Sequence, residues 1–237
     1  MGAQWKHQVR SENSAKKGAA ITKFAREIQV AARMGGADPA FNSRLRLAID
    51  AAKKASCSSD TIDRAIKKGS GQLEGQSIDE LMYEGYGPHG VGVIVEVQTD
   101  NKNRTASEVR LMFKTHEGAL GETNSVAWMF DRVSMLEGSK PGSFDPEEEA
   151  IEVGANEVEK DSGSQSDHYV FYANPEDLDM VRKGLEGRGW KVHSAELSYK
   201  AKNKTSLTGE QKAAVVAFLQ ELNDHEDTHK IHATLVD

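Results

Sequence analysis

The chain has 237 residues, 38% hydrophobic and 28% charged, which suits one large domain or two to three small ones and excludes a disordered chain. Its single cysteine, Cys57, excludes internal disulfides and multi-cysteine zinc sites, and no run approaches the roughly 18 apolar residues of a membrane span. The formal charge of −7 hides an asymmetry, because residues 1–72 hold 14 Lys and Arg against 6 Asp and Glu, net +8, while the remainder is net −15. A basic head on an acidic body points to an electrostatically steered partner, for which nucleic acid is the usual candidate. Ordinary solvated helix faces are the plainer reading, and composition alone leaves the two level. The opening MGAQWKHQVR lacks the apolar core of a signal peptide, and Lys6 stands where a myristoylation signal needs Ser or Thr. A cytoplasmic protein without membrane contact is expected.

The first seventy residues carry helical periodicity. Ile21, Phe24, Ala25, Ile28 and Ala32 follow a 3.6-residue spacing that Gly35-Gly36 stops, with Lys16, Lys23, Arg26 and Arg33 on the opposite face. A second helix starts near Asn42-Ser43 with Leu45, Ala48, Ile49 and Ala52 inward. A third starts at Ser58 or Ser59, buries Ile62, Ala65 and Ile66, and ends at Gly69 with Lys67 and Lys68 in its last turn. The short turn between these two is compatible with a helix-turn-helix, as is any small bundle. Residues 69–77, GSGQLEGQS, read as a linker.

Beyond the linker the period changes. VGVIVEV, residues 91–97, reads as a strand and TASEVRLMFKTH as a helix with a Thr105–Glu108 capping box. Its buried side is expected to be Ala106, Val109 and Phe113, with Asn103, Ser107, Arg110 and Lys114 facing elsewhere. From about Phe130 the order is strand (126–136), helix (146–153), strand (around Glu157), strand (168–172), helix (175–185) and strand (191–199), the ferredoxin-like β-α-β-β-α-β pattern. A closing helix (209–222) and strand (230–236) cannot bury their apolar faces alone, so they are expected to pack back on residues 80–125. The expected class is α+β in three domains. These are a helical bundle (1–76), a central α/β domain (77–130 with 205–237) completed by the C-terminal segment, and an inserted ferredoxin-like domain (131–204).

Two enzyme-like motifs lack the context their chemistry needs. GYGPHG, Gly85 to Gly90, fits G-x-G-x-x-G, but a dinucleotide site needs a helix leaving the glycines. Here a strand follows, so a turn entering an edge strand is expected. HEDTH, His225 to His229, fits H-E-x-x-H, which binds zinc only when one helix carries both histidines. The preceding helix ends near Asn223-Asp224, so loop histidines are the better reading, although His232 offers a possible third ligand to a zinc hydrolase. Cys57 sits at a helix start that could acidify its thiol, but no partner histidine is identifiable and an inert residue is expected. No catalytic residue, metal or cofactor is assigned.

The segments Tyr83-Glu84-Gly85-Tyr86-Gly87-Pro88, Asp100-Asn101, Asn103-Arg104-Thr105, Glu108-Val109-Arg110 and Ser125-Val126-Ala127 resemble the YebC/PmpR family, as do KFAREIQVAARMGGADPAFNSRLRLAIDAAK and DTIDRAIKKG upstream. The resemblance covers essentially the whole chain. It implies the same three-domain fold, with the G-Y-G-P-x-G turn as a structural entry to a strand. Bacterial members are labelled probable transcriptional regulators and have been associated with elongation through proline runs; mitochondrial relatives act as translational activators. The usual basic arm is weakened here, since GAQWKHQVRSENSAKK keeps Trp5, Lys6 and His7 and loses several cations.

The expected function is non-enzymatic regulation of gene expression by a DNA-binding transcriptional regulator. The alternative is a ribosome-associated translation factor, favoured by the lack of a base-reading helix and by the acidic body. A protein-only adaptor is the third possibility. Phosphate contacts are expected from Lys16, Lys17, Lys23, Arg26 and Arg33, and from Arg64, Lys67 and Lys68. Asn103, Arg104, Thr105 and Arg110 are expected around an anion site at a helix start, against an internal ion pair of Arg104 with Asp100 or Glu108. The partner is nucleic acid, with no small-molecule substrate and no membrane, and the protein is expected to be a monomer.

Overall fold

The computed structural model describes residues 14–161 and 168–235, with side chains from residue 18 onward. It falls into two compact units, residues 14–129 with 201–235 and residues 130–200. Each folds around its own apolar clusters.

In the larger unit, helices α1 (Ser14–Gly35), α2 (Ser43–Lys54) and α3 (Ser59–Gly69) form the head. Their spacing puts Ile28, Ala32, Leu45, Ile49, Ala52, Ile62 and Ala65 into one buried cluster. Side-chain caps start two of these helices: Asn42 accepts from the Leu45 amide and Ser58 from the Thr61 amide. Asn42 also donates to the carbonyls of Ala31 and Gly36, which pins the turn after α1. A Cβ at Gly69 would lie 2.2 Å from the Gln29 carbonyl oxygen and 2.9 Å from the Ala32 Cβ, so α3 closes on α1 only because this residue has no side chain. Gly69→Ala is expected to cost about 2 kcal/mol through forced helix separation. Gly187→Ala, where nothing lies within 4 Å, should change stability by less than about 0.5 kcal/mol. Urea unfolding of both variants checks the difference.

The central part of this unit is a four-stranded sheet ordered β3-β1-β2-β8, from β1 (Asp79–Tyr86), β2 (Gly92–Thr99), β3 (Ala119–Leu120) and β8 (Thr228–Ala233). Helices α4 (Lys102–Thr115) and α7 (Gly209–Asp224) cover one face, where Val93, Val95, Val97, Val109, Phe113, Val215 and Phe218 are buried together. The C-terminal helix and strand do return to this sheet, with β8 antiparallel to β2. Two expectations are corrected. Strand β2 is not an edge strand but lies between β1 and β8 and is buried along almost its whole length, consistent with its unbroken apolar run. The cap of α4 is Asn101, which accepts from the Arg104 amide, so Thr105 lies inside the helix and no Thr105–Glu108 capping box forms.

The glycine motif is closely packed. A Cβ at Gly85 would meet the Ala119 carbonyl at 2.6 Å and the Phe113 ring at 2.7 Å. Next to it Glu84, 3% exposed, accepts the amides of Asn124, Val126 and Ala127 at 2.8–3.0 Å. The segments Tyr83–Pro88 and Ser125–Ala127, far apart in sequence, thus form one buried carboxylate-amide joint.

The smaller unit comprises β4 (Phe130–Ser139), α5 (Pro146–Val153), β5 (Glu157–Lys160), β6 (His168–Ala173), α6 (Leu178–Gly187) and β7 (Lys191–Ala201), with sheet order β5-β6-β4-β7. This is the ferredoxin-like arrangement. Strand β4 begins at Phe130 rather than Val126, because residues 127–129 form a 3-10 turn. Leu136, Phe171, Leu185 and Trp190 lie in its core.

Candidate nucleic-acid interface

Two of the cations expected along α1 turn inward. Lys23 donates to the Asn223 carbonyl. Arg26 donates to the Glu226 carbonyl at 2.7 Å and pairs with Asp227 at 2.7 Å. Arg33 donates to Ser77 Oγ at 2.9 Å and is otherwise exposed. The first two cations fasten the head to the C-terminal segment.

Asp227 is the centre of this fastening. Its side chain has no exposed surface and accepts from Thr105 Oγ1 at 2.6 Å, Arg104 Nη2 at 3.0 Å and Thr99 Oγ1 at 3.1 Å. Burial alone would raise its carboxyl pKa; the bonds from Thr105 and Arg104 and the charge of Arg26 outweigh burial and hold it below the ordinary value. The position expected for an external anion at Arg104 and Thr105 is therefore taken by an internal one. Arg104 also pairs with Asp100 at 3.1 Å. A second joint lies alongside: Glu27 accepts from Arg44 at 2.7 Å and from Gln98 at 2.6 Å, and Arg44 reaches Glu80 at 2.6 Å.

HEDTH does not lie on one helix. The helix α7 ends at Asp224 and β8 begins at Thr228; His225 Nε2 faces Glu108 at 3.0 Å and His229 Nε2 faces Glu27 at 3.3 Å. Ligand atoms of Glu108, His225 and Asp227 come within 4.8 Å of one another. That donor set does not suit a cation, because two guanidiniums already sit on Asp227. The Cys57 thiol is not acidified: burial pushes its pKa up.

Other cations face solvent. Lys67 and Lys68 lie in the last turn of α3, and the Arg64 side chain is 70% exposed with an i,i+4 contact to Asp60 at 3.5 Å. Asn103 and Arg110 lie on the exposed side of α4 with Ser107 and Lys114. Lys16 and Lys17 occupy the first turn of α1, their side chains outside the described residues, as are Trp5, Lys6 and His7. Lys53 and Lys54, exposed in the last turn of α2, were absent from the sequence expectation although they occupy the same kind of helix-end position as Lys67 and Lys68. Phe41, 89% exposed after the α1 turn, was missed because its apolar character gave no sign of exposure.

One cavity brings two of the expected cations together. A cleft of about 580 Å³ opens between α1, the end of α3 and residues 71–78, with Arg33 and Lys68 among its lining residues. Gln29, Val30, Gln76 and Ile78 line it too.

No helix of the described residues is long and apolar enough to cross a membrane. Residues 2–72 match the family described as TACO1/YebC protein N-terminal domain, and residues 78–235 match TACO1/YebC second and third domain. A probable transcriptional regulatory protein of Bdellovibrio bacteriovorus is 60% identical over 99% of this chain and 100% of its own length. One of the same description from Pseudomonas fluorescens Pf-5 is 44% identical over 99% of both chains. The crystal structure of a conserved hypothetical protein from Aquifex aeolicus superposes with a TM-score of 0.84 at 38% identity, covering 97% of this chain and 95% of that one. With head, sheet and inserted unit matched end to end, the chain belongs to the TACO1/YebC family.

Proposed function

We propose that the chain is a cytoplasmic, monomeric regulator of gene expression that binds nucleic acid through its helical head and catalyses no reaction. The observation that carries this reading is the set of exposed cations left on the head once Lys23 and Arg26 are spent internally: Lys53, Lys54, Arg64, Lys67 and Lys68. The lysines project from the last turns of α2 and α3 and Arg64 from the middle of α3, where they can contact phosphates without ordering further backbone. The relatives' description as probable transcriptional regulatory proteins supports a DNA target. The divided HEDTH motif supports the absence of catalysis, as does burial pushing the Cys57 thiol pKa up rather than down.

A second reading, binding to ribosomal RNA in support of translation, is favoured by α3 itself. In a helix-turn-helix the start of the second helix meets base edges, yet here that start carries exposed Asp60 and Asp63, which a phosphate-lined groove repels. Co-sedimentation with ribosomes across a salt series, against binding to random duplex DNA, separates the two. Retention on ribosomes at salt that strips duplex makes it a translation factor; the opposite order supports transcription. Reversing Lys53, Lys54, Lys67 and Lys68 to Glu should reduce the slope of log affinity against log salt by about one per lost phosphate contact. Lys23→Gln should lower stability and leave that slope unchanged. An unchanged slope in the four-site variant would remove the head as the binding surface.

A further inference from the structure

We propose that the cleft between α1, the end of α3 and residues 71–78 receives one unpaired nucleotide of a nucleic-acid strand. Its phosphate would sit at Arg33 and Lys68 and its base against Leu73. The inference rests on the nucleic-acid reading above and adds the form of the target: an unstacked base in a pocket, not a duplex lying on a convex face.

The cleft matches the chemistry of a nucleotide. Its volume of about 580 Å³ falls within the range of small-ligand pockets, about 300–1,000 Å³. Leu73, 41% exposed, also lines the cleft and provides an accessible apolar wall for a ring, whereas Val30 and Ile78 are buried. Gln29 and Gln76 offer amides that can each donate and accept, as recognition of a free Watson–Crick edge requires. The cations are positioned rather than loose. Arg33 is held through Ser77, a neutral partner, at 2.9 Å, and makes no ion pair among the described residues. The Lys68 stem runs beside Gly75, where a Cβ would meet its Cδ at 3.2 Å, and its ammonium makes no ion pair among the described residues. Glu74, also lining the cleft, disfavours the extra charge of a free mononucleotide phosphate but tolerates a singly charged phosphodiester. A base stacked inside a duplex cannot enter, because it would first have to be extruded from its neighbours.

The test measures anisotropy of the full-length chain with a labelled single-stranded RNA lacking self-complementarity, and with the duplex of the same sequence. The wild type should bind the single strand at least about tenfold more tightly than the duplex. Gln76→Trp, on the exposed segment, fills the cleft without removing a cation. It should weaken single-strand binding about tenfold and leave duplex binding and its salt dependence unchanged. The double variant Arg33→Gln, Lys68→Gln serves if Gln76→Trp does not fold, and should weaken the single strand more than the duplex. Wild-type single-strand affinity in these variants, with both substrates weakened by reversal of Lys53 and Lys54, would overturn the cleft and leave the proposed function standing. Displacement of the strand by uridine monophosphate at low concentration would overturn the proposal in favour of a free nucleotide. Failure of the wild type to bind either nucleic acid would sink the proposed function and the cleft with it.

Discussion

Asp227→Ala is expected to destabilise the protein by about 3–5 kcal/mol and to release the helical head from the central sheet. The carboxylate is buried and holds Arg26 from α1, Arg104 and Thr105 from α4 and Thr99 from β2. Removing it leaves two guanidiniums facing each other and takes the carboxylate acceptor from Thr99 and Thr105. Thr105 Oγ1 also reaches the Asn101 carbonyl at 3.0 Å, so the lost ion pairs carry most of the cost, and Thr105→Ala, which keeps them, should cost distinctly less. Thermal unfolding should register the Asp227→Ala change as a midpoint drop of about 10 °C for a chain of this size. Hydrogen exchange should place the lost protection in α1 as well as around α4. A fall confined to the loop around residue 227, with α1 protected as before, would mean that the joint does not hold the head. Because the folded carboxyl pKa is depressed, its contribution is complete above the unfolded value and is lost as pH falls through the folded one. The gap between wild type and Asp227→Asn should therefore close on acidification below about pH 4.

Glu149→Ala is expected to have the second largest effect, in the other unit. Glu149, 6% exposed, accepts from Arg188 at 3.1 Å, Trp190 Nε1 at 2.8 Å and Lys140 at 2.9 Å. It ties α5 to the turn between α6 and β7. The Arg188 bond, opposed by burial and reinforced by Trp190 and Lys140, pulls its carboxyl from 4.5 to about 2. Losing the carboxylate strands a buried indole N–H and leaves two cations as neighbours, a cost of about 3 kcal/mol. The sign with pH follows from the depressed value: the stabilisation is fully present above 4.5 and lost as pH falls toward about 2. Thermal midpoints of wild type and variant should converge across that window. Midpoints that stay equally separated down to pH 2 would show that packing, not charge, makes Glu149 important.

The elements themselves were largely legible in the chain. Local rules suffice where one residue's own neighbours decide its state: the 3.6-residue spacing of Ile28, Ala32, Leu45, Ile49, Ile62 and Ala65 marked helices that do bury those residues, and Asn42 and Ser58 marked two starts. Pro146 to Val153 is a helix as expected, with Asp145 accepting at its start. The capping of α4 was misplaced because Thr105 and Asn101 both have capping side chains, and only the buried contacts of Thr105 with Thr99 and Asp227 decide between them. Strand β2 could not be placed inside the sheet from its own residues, since its outer partner β8 comes from the other end of the chain.

The site depended on tertiary structure far more than the fold did. A lysine or arginine on the polar side of a helix looks the same in sequence whether it meets solvent or a carboxylate 200 residues away. Lys53, Lys54, Lys67 and Lys68 stay exposed, whereas Arg26 and Arg104 converge on Asp227. The sequence by itself determined the helical head, its excess of positive charge and the split ferredoxin-like pattern, because periodicity and composition are local or summed quantities. Only the folded chain decided which cations are spent inside it, and that Arg33 and Lys68 share one cleft. Charge pairing and cavity shape depend on distances between residues remote in sequence, which no local rule encodes.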